Sequence, residues 1–330
     1  MNTIIPNNFE EFLYWVKETT EKRWANLSES KKDGNWWSQK HDLFEGAKWV
    51  DPLSDEEVNA LEIKWGIKFP DDFKSFLKIL HRVDKCDFFE EEDFETNEIT
   101  LRENHLFHNW RDEELIKERF ANPLEHLKFD VFSSIQPSWL KAWGTRPETE
   151  AECIAVMEKW MEKASILIPV NSHRYLISEP TQKCNHVISM YGFDTLLYSL
   201  NLREHLINEL RWDLGLDERE YDDEDADEKP APFAVAKAIK AIKKSNEDSD
   251  CTEDESEETE ETETEEAILA REAELDKWYE ERRKAYIPIP YWEDVILSTS
   301  SGWSTIGLKF PYEKYNSVVQ PVLRVDDTAD

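Results

Sequence analysis

One segment of this sequence cannot contribute to a packed core, and it limits how the rest of the chain can be arranged. Residues 217–267 contain 22 acidic and 6 basic residues, a net charge of −16, largely in runs of Glu and Asp with Ser and Thr. Such runs repel themselves and have little apolar surface to bury. We therefore predict a disordered, solvated and non-catalytic insertion that interrupts one folded domain.

The remainder of the chain is acidic independently of this segment. The formal net charge of the whole chain is −33, which leaves −17 outside residues 217–267. A surface of this sign repels phosphate backbones and anionic membranes, so we predict neither a nucleic-acid nor a membrane partner. It suits a basic partner protein, although solubility alone would also explain it. Nothing in the sequence indicates an oligomeric state.

The cysteines and the lack of long apolar runs bear on the compartment. None of the four cysteines is spaced as a CxxC pair, which is typical of reduced thiols rather than of a disulfide framework. No run approaches the roughly 18 apolar residues that a membrane-spanning helix needs. The first residues lack the basic and apolar regions of a signal peptide. We expect a soluble, cytoplasmic protein.

Residues 53–80 carry the clearest local signals. Ser54 followed by Glu57 forms a capping box at a helix start. Gly66 suits the left-handed position that ends a helix, and Pro70 with the acids after it is typical of a second helix start. The pattern predicts two helices joined by a short turn. The apolar side of the first is expected to contain Val58, Leu61, Ile63 and Trp65.

The residues between 83 and 200 change character twice. The charged run FFEEEDFETNE indicates a loop or insertion, residues 127–132 a strand, and residues 149–163 a helix capped by Thr149 and Glu152. Residues 165–200 then contain four short β-rich runs with tight connections, which predict an antiparallel meander. The fold class is therefore predicted as α+β, with an antiparallel meander of about four to six strands packed with helices.

These signals divide the chain into five parts. We predict a helical N-terminal extension at 1–52, an α+β domain at 53–216, the disordered acidic insertion at 217–267, a helix and segment that pack back on the domain at 268–317, and a flexible tail at 318–330.

The stretch LSDEEVNALEIKWGIKFPDDFKSFLKIL resembles the opening motif of the SUKH superfamily, the Smi/Knr-type cell wall assembly regulator domain. The run ILIPVNSHRYLI and the run CNHVISMYGFDTLLYSLNLREHL are similar to its later strands and closing helix, so the resemblance covers about 53–80 and 165–210. HRVDKCDFFEE departs from the family, which often has an Asn-Gly-Gly-like turn there. The matching positions are Leu61, Gly66, Pro70, Asp71, Phe73, Phe76, Leu77, Pro169, Tyr191 and Asp194.

The resemblance implies an α+β fold that binds another protein and catalyses nothing. Members of the superfamily serve as immunity proteins that neutralise secreted toxins, or as regulators of fungal cell-wall synthesis that act as interaction hubs. We therefore expect an immunity-like inhibitor or a regulatory hub, and no enzyme.

Few residue patterns indicate chemistry. No P-loop, dinucleotide-binding glycine motif, HExxH or GxSxG occurs. His105 and His108, with Glu103 and Asp112 nearby, would share a metal if they lay on one helix face, and Cys184 with His186 would form a thiol–imidazole pair. A small metal- or thiol-dependent hydrolase is thus the alternative function. Surface histidines and a structural thiol explain the same residues, so we predict no catalytic residue, no cofactor and no metal.

One polar run is a candidate for recognition. His173, Arg174 and Tyr175 enter a predicted strand, in which His173 and Tyr175 would share one face. They would either present a recognition face or serve structure, with Tyr175 in the core. The 14 tryptophans allow a carbohydrate-stacking platform, but their helical spacing favours core packing.

Overall fold

The computed structural model describes residues 5–27, 44–92, 99–133, 138–178, 185–216 and 265–299. The predicted acidic insertion, apart from its last three residues, and the predicted tail lie outside the described residues, as does Cys184.

The described residues form eight α-helices and eight strands. The helices are α1 (Phe9–Trp24), α2 (Asp55–Trp65), α3 (Asp71–Ile79), α4 (Glu113–Val131), α5 (Glu150–Met161), α6 (Leu202–Glu209), α7 (Glu265–Ala285) and α8 (Trp292–Thr299). The strands are β1 (Trp49–Val50), β2 (Arg82–Val83), β3 (Cys86–Glu92), β4 (Ile99–His105), β5 (Ile166–Asn171), β6 (Arg174–Ser178), β7 (Val187–Tyr191) and β8 (Asp194–Ser199). None of these helices has the length and apolar character needed to cross a membrane.

A four-stranded antiparallel meander forms the central layer. Strands β5, β6, β7 and β8 pair in chain order. Because side chains alternate along a strand, Tyr175 and Ile177 of β6 enter one apolar core while Leu176 between them enters another. The sheet is thus covered on both faces, and two further antiparallel pairs, β1–β2 and β3–β4, stand apart from it. The predicted α+β class with an antiparallel meander is confirmed.

The first core is rich in aromatic rings and lies between the sheet and helices α1, α2, α3 and α6. Phe73 of α3 contacts Trp110 edge to face, with ring centroids 5.4 Å apart. Trp49 of β1 contacts Phe107 at 5.4 Å. Phe12 of α1 is fully buried in the same cluster. Helix α1, which lies in the predicted N-terminal extension, is therefore built into the core that also holds α2 and α3.

The second core fills the opposite face of the sheet and includes the segment that follows the acidic run. Ile289, Trp292 and Val295 are buried with residues of α4, α5 and the sheet. The indole N–H of Trp292 donates to the carbonyl oxygen of Ser165 at 2.7 Å, which fixes α8 beside the start of β5. Residues before and after the acidic run thus share one hydrophobic core.

The α2–α3 pair follows the local signals closely. Ser54 and Glu57 form the predicted capping box, and Gly66 ends α2 with φ +66°. Pro70 immediately precedes α3, which begins at Asp71. The expected burial of Ile63 is wrong: it is 82% exposed, whereas Glu62 beside it is only 4% exposed. At about 100° per residue, the face through Val58 and Glu62 points inward and Ile63 points away from it.

Two segments between residues 83 and 131 differ from the sequence prediction. Residues 88–92 of the charged run predicted as a loop belong to strand β3, which pairs with β4 in a hairpin, and residues 93–98 of that run lie outside the described residues. The strand predicted at 127–132 is wrong, because α4 continues to Val131 through Pro123. Near its end, Asp130 accepts the N–H of Phe193 at 2.6 Å, and Gly192 packs so closely that an added Cβ would lie 2.0 Å from the Asp130 carboxylate. This contact between α4 and the β7–β8 turn joins residues that are far apart in the sequence, so local helix and strand propensities cannot predict it.

The buried carboxylate of Glu62 holds the turn between α2 and α3. It accepts the N–H of Phe69 at 2.8 Å and lies 3.0 Å from the ammonium of Lys74. Burial alone would raise the pKa of Glu62, but the bonds from Lys74, Phe69 and Lys68 outweigh it and lower that pKa.

We expect Glu62→Ala to lower the free energy of unfolding by about 1–3 kcal/mol, because it leaves the buried N–H of Phe69 without an acceptor. Glu62→Gln keeps an acceptor and should cost less. Urea unfolding of the two variants and the parent chain measures both effects. Equal stability of Glu62→Ala and the parent would contradict this role.

Candidate interaction surface

The histidines proposed as metal ligands do not form one site. His108 is buried, and its Nε2 atom lies 3.3 Å from the carbonyl oxygen of Ser172. Burial lowers the pKa of His108 to about 3, so the ring is neutral. Asp112 caps α4 by accepting the N–H of Leu115 at 3.1 Å. His105, in contrast, ends β4 and lies 2.9 Å from Glu103. The geometry therefore does not support the pairing of His105 with His108, which is one of the two pairs considered for the alternative hydrolase.

His186, the partner proposed for Cys184, has both ring nitrogens engaged by the backbone. Its Nε2 atom accepts the N–H of Ile287 at 3.0 Å, which leaves Nδ1–H to donate to the carbonyl oxygen of Leu200 at 2.8 Å. The ring also stacks on Tyr286 with an interplanar angle of 8°. His186 thus joins the sheet to the segment that follows α7, and burial lowers its pKa.

The candidate recognition run has three different environments. Tyr175 is buried, as the structural interpretation predicted, and its hydroxyl donates to the carbonyl oxygen of Arg119 at 3.1 Å. His173 lies in the β5–β6 turn rather than in the strand, and its ring is 6.4 Å from that of exposed Tyr191. His173 and Tyr175 therefore do not share a strand face, since Tyr175 is buried in β6 and His173 is half-buried in the turn.

Arg174 takes part in a largely internal polar network that clamps α6 to the sheet. Its guanidinium lies 4.2 Å from the ring centre of Tyr198 and donates to the Ser189 hydroxyl at 2.7 Å. Glu209 lies 3.8 Å from Arg174 and accepts from Asn171 at 3.1 Å. Burial would raise the pKa of Glu209, but His205 and Tyr198, followed by Arg174 and Asn171, outweigh it and lower that pKa. The arrangement gives Arg174 a structural role.

The hairpin of β3 and β4 presents an exposed apolar stripe that the sequence analysis did not predict. Phe88 is opposite Glu103, and Leu101 is opposite Glu90. Because cross-strand partners and every second residue share a face, Phe88, Leu101 and Ile99 lie together on one side of the ribbon. These side chains are 51%, 63% and 64% exposed. We call this side, formed by Phe88, Glu90, Ile99, Leu101 and Glu103, the hairpin face.

The opposite side of the ribbon turns toward the beginning of α4. A cleft of about 530 Å³ is lined there by Arg102 of β4 and by Asp112, Glu114, Leu115, Lys117, Glu118 and Ala121. No cysteine, histidine or serine lines this cleft. The ribbon is thus covered in part on one side, which leaves the hairpin face directed outward.

One signal for this face exists in the sequence. In residues 99–105 the apolar Ile99 and Leu101 alternate with polar residues, the pattern of a half-exposed strand. Strand β3 lacks this alternation, because residues 86–92 combine two adjacent phenylalanines with a run of acids. Register, which places Phe88 beside Leu101, is set by pairing and not by either segment alone.

Comparison with known proteins identifies one part of the chain. Residues 52–161 match the model of the SMI1 / KNR4 family (SUKH-1). The match begins before α2, includes the hairpin and α4, and ends with α5. No curated protein and no solved structure matches the chain. The resemblance predicted from the motif at 53–80 is confirmed, while the similar runs at 165–210 lie outside the matched segment.

Several buried histidines make the stability of this fold sensitive to acid. Burial lowers the pKa of His81 to about 4 from its ordinary value of 6.5. Its Nε2 atom accepts the N–H of Trp110 at 3.0 Å and its Nδ1 atom bonds the carbonyl oxygen of Asp51 at 2.6 Å. Between about pH 6.5 and pH 4 the unfolded chain binds a proton that the folded chain does not, so stability falls with falling pH.

We expect the free energy of unfolding to decrease from pH 7 to pH 5, with each such histidine adding up to about 1.4 kcal/mol per pH unit. His81→Gln should reduce this slope.

Asp72 has the opposite effect on stability, because burial raises its pKa to about 6. Asp72→Asn should therefore steepen the decrease in the free energy of unfolding as the pH falls. Urea titrations at several pH values test both variants, and a slope unchanged by His81→Gln would refute the assignment.

Proposed function

We propose that this protein is a non-enzymatic binding module that captures a basic partner protein on the hairpin face. The observation that carries the proposal is the exposed stripe of Phe88, Ile99 and Leu101 on a ribbon that pairs with no further strand among the described residues. Large apolar side chains grouped in this way are unusual on a protein surface unless they bind something.

The ribbon geometry suits protein recognition for a second reason. A two-stranded sheet has two free edges, whose N–H and C=O groups pair readily with an extended segment of another chain. Side chains of the hairpin face would then supply specificity while the backbone supplies affinity. A partner strand or an apolar surface patch fits this arrangement better than a small molecule does, because the face is open rather than concave.

Charge favours a basic partner. Glu90 and Glu103 lie among the apolar side chains of the hairpin face, and the whole chain carries 73 acidic against 40 basic residues. This excess would steer a basic protein toward the surface and hinder acidic competitors. The apolar stripe would provide most of the affinity after contact, since exposed charges contribute mainly to the rate of association.

Two biological roles fit such a module. The resemblance to the SUKH superfamily implies either an immunity-like inhibitor of a basic toxin or a regulatory hub such as in cell-wall synthesis. The identity of the captured protein separates them: an inhibitor abolishes the activity of its partner at equal molar amounts, whereas a hub leaves the partner active.

The proposal includes no catalysis because two of the candidate histidines are already engaged or buried. His186 is occupied by two backbone contacts, and His108 is neutral and buried. The rival hydrolase would require both a nucleophile or metal-bound water and a substrate cleft beside it.

Paired surface variants test the proposal. The double variant Phe88→Ser, Leu101→Ser removes the apolar stripe, and the matched control Ile63→Ser, Tyr14→Ser removes exposed apolar side chains elsewhere. The full chain and both variants would first serve to isolate a partner, whose binding would then be measured with purified proteins. We expect a basic partner whose Kd rises about 30-fold or more in the hairpin variant, equivalent to a loss of about 2 kcal/mol, and is unchanged in the control.

Two outcomes would contradict the proposal. One is a partner that binds the hairpin variant as tightly as the parent chain. The other is a partner lost on deletion of residues 217–264 but retained by the hairpin variant, which would assign binding to the acidic segment. Circular dichroism of each variant verifies that the fold is intact.

A further inference from the structure

Three side chains with different metal-binding atoms meet at the root of the hairpin. Cys86 begins β3 and is directly opposite His105, the last residue of β4. Glu103 stands two residues before His105 and so projects from the same side of the ribbon. The Cys86 sulfur, a ring nitrogen of His105 and a carboxylate oxygen of Glu103 lie within 4.8 Å of one another.

The spacing is close to what a metal ion needs. A tetrahedral zinc ion at its usual bond lengths holds sulfur, nitrogen and oxygen donors about 3.5 Å apart. Thiolate, imidazole and carboxylate together favour Zn²⁺ over Mg²⁺ or Ca²⁺, which prefer oxygen ligands alone.

The two ring nitrogens of His105 have different surroundings. Its Nε2 atom lies 2.9 Å from a carboxylate oxygen of Glu103. Its Nδ1 atom is buried and has no hydrogen-bond partner among the described residues, although buried ring nitrogens normally find one. In a metal-bound form, one ring nitrogen would bond the ion through its lone pair and the other would carry the proton.

We propose that Cys86, Glu103 and His105 bind one Zn²⁺ ion. On binding, the Cys86 S–H bond breaks, its proton passes to solvent and the thiolate sulfur bonds the metal. The imidazole binds in its neutral form, and water molecules leave the ion as the three protein donors replace them. Three protein ligands leave a fourth position for water or for a donor from a bound molecule.

The site would fasten the two strands of the hairpin at the end nearest the folded body. Cys86 and His105 lie on the same side of the ribbon as Phe88 and Leu101. Zinc would therefore limit fraying of the strands that carry the hairpin face, because an isolated two-stranded hairpin is only marginally stable. The metal site shares Glu103 with the hairpin face, but metal binding can be tested without the partner.

Sequence spacing gives no sign of this site. Cys86 is distant from Glu103 and His105 in the chain, and no CxxC or HxxxH pattern links them. The prediction that no metal is bound considered His105 together with His108. In the structure, antiparallel pairing places Cys86, and not His108, opposite His105.

Cobalt and zinc titrations of the reduced, chelator-treated full chain test the proposal. We expect one equivalent of Co²⁺ to produce the near-ultraviolet absorption of a cobalt–thiolate bond, which Zn²⁺ then abolishes by displacement. Cys86→Ser should remove this absorption. His105→Ala and Glu103→Gln should each weaken Zn²⁺ binding by about 100-fold or more, since loss of even an outer-shell partner of a ligand costs 10–100-fold.

Cys251→Ser is the matched control, because this cysteine belongs to the acidic run. It should keep the cobalt absorption, and Zn²⁺ should raise the Tm of this variant and of the parent but not of Cys86→Ser. Absorption that persists in Cys86→Ser, or a parent chain that gives no thiolate absorption, would overturn the proposal. Binding by acidic side chains alone gives no thiolate absorption. Circular dichroism of the metal-free variants distinguishes loss of the site from loss of the fold.

Discussion

Burial of the central sheet on both faces is the constraint on which the rest of this structure depends. Antiparallel sheets commonly leave one face to solvent, but here the meander separates two apolar cores. Each face requires its own cover. Helices α1, α2, α3 and α6 supply it on one side, and helices α4, α5 and α8 contribute to it on the other. This requirement explains why residues distant from the matched family segment are firmly built into the fold.

Several buried polar side chains serve as partners for buried backbone groups. A backbone that bends around two cores leaves N–H and C=O groups inside, and these need partners. His81 and His186 each bridge two backbone groups from separate segments. Arg174 of β6 and Glu209 of α6 lie 3.8 Å apart and join the sheet to that helix.

Sequence predicted the parts of this fold that local chemistry decides. The capping box at Ser54, the left-handed Gly66 and the four β-rich runs require only near neighbours, so their patterns are sufficient. The hairpin of β3 and β4 was missed because its evidence is divided between two strands and appears only when they pair. Helix α4 extends through a segment whose apolar residues suited a strand, and its contact between Asp130 and Phe193 is made across the molecule. In the candidate surface, Phe88, Ile99 and Leu101 lie together only because the register of β3 and β4 places them on one face.

The packing of α8 into the second core has a consequence for the order of events during synthesis. Trp292 and its neighbours complete a core whose other walls are made of residues that leave the ribosome much earlier. The apolar surface of those residues stays uncovered until the part of the chain beyond the acidic run has been synthesised. The entropy of closing a long loop grows only slowly with its length, so a long interruption adds little to the equilibrium cost of closure. We therefore expect the acidic run chiefly to delay the completion of the second core.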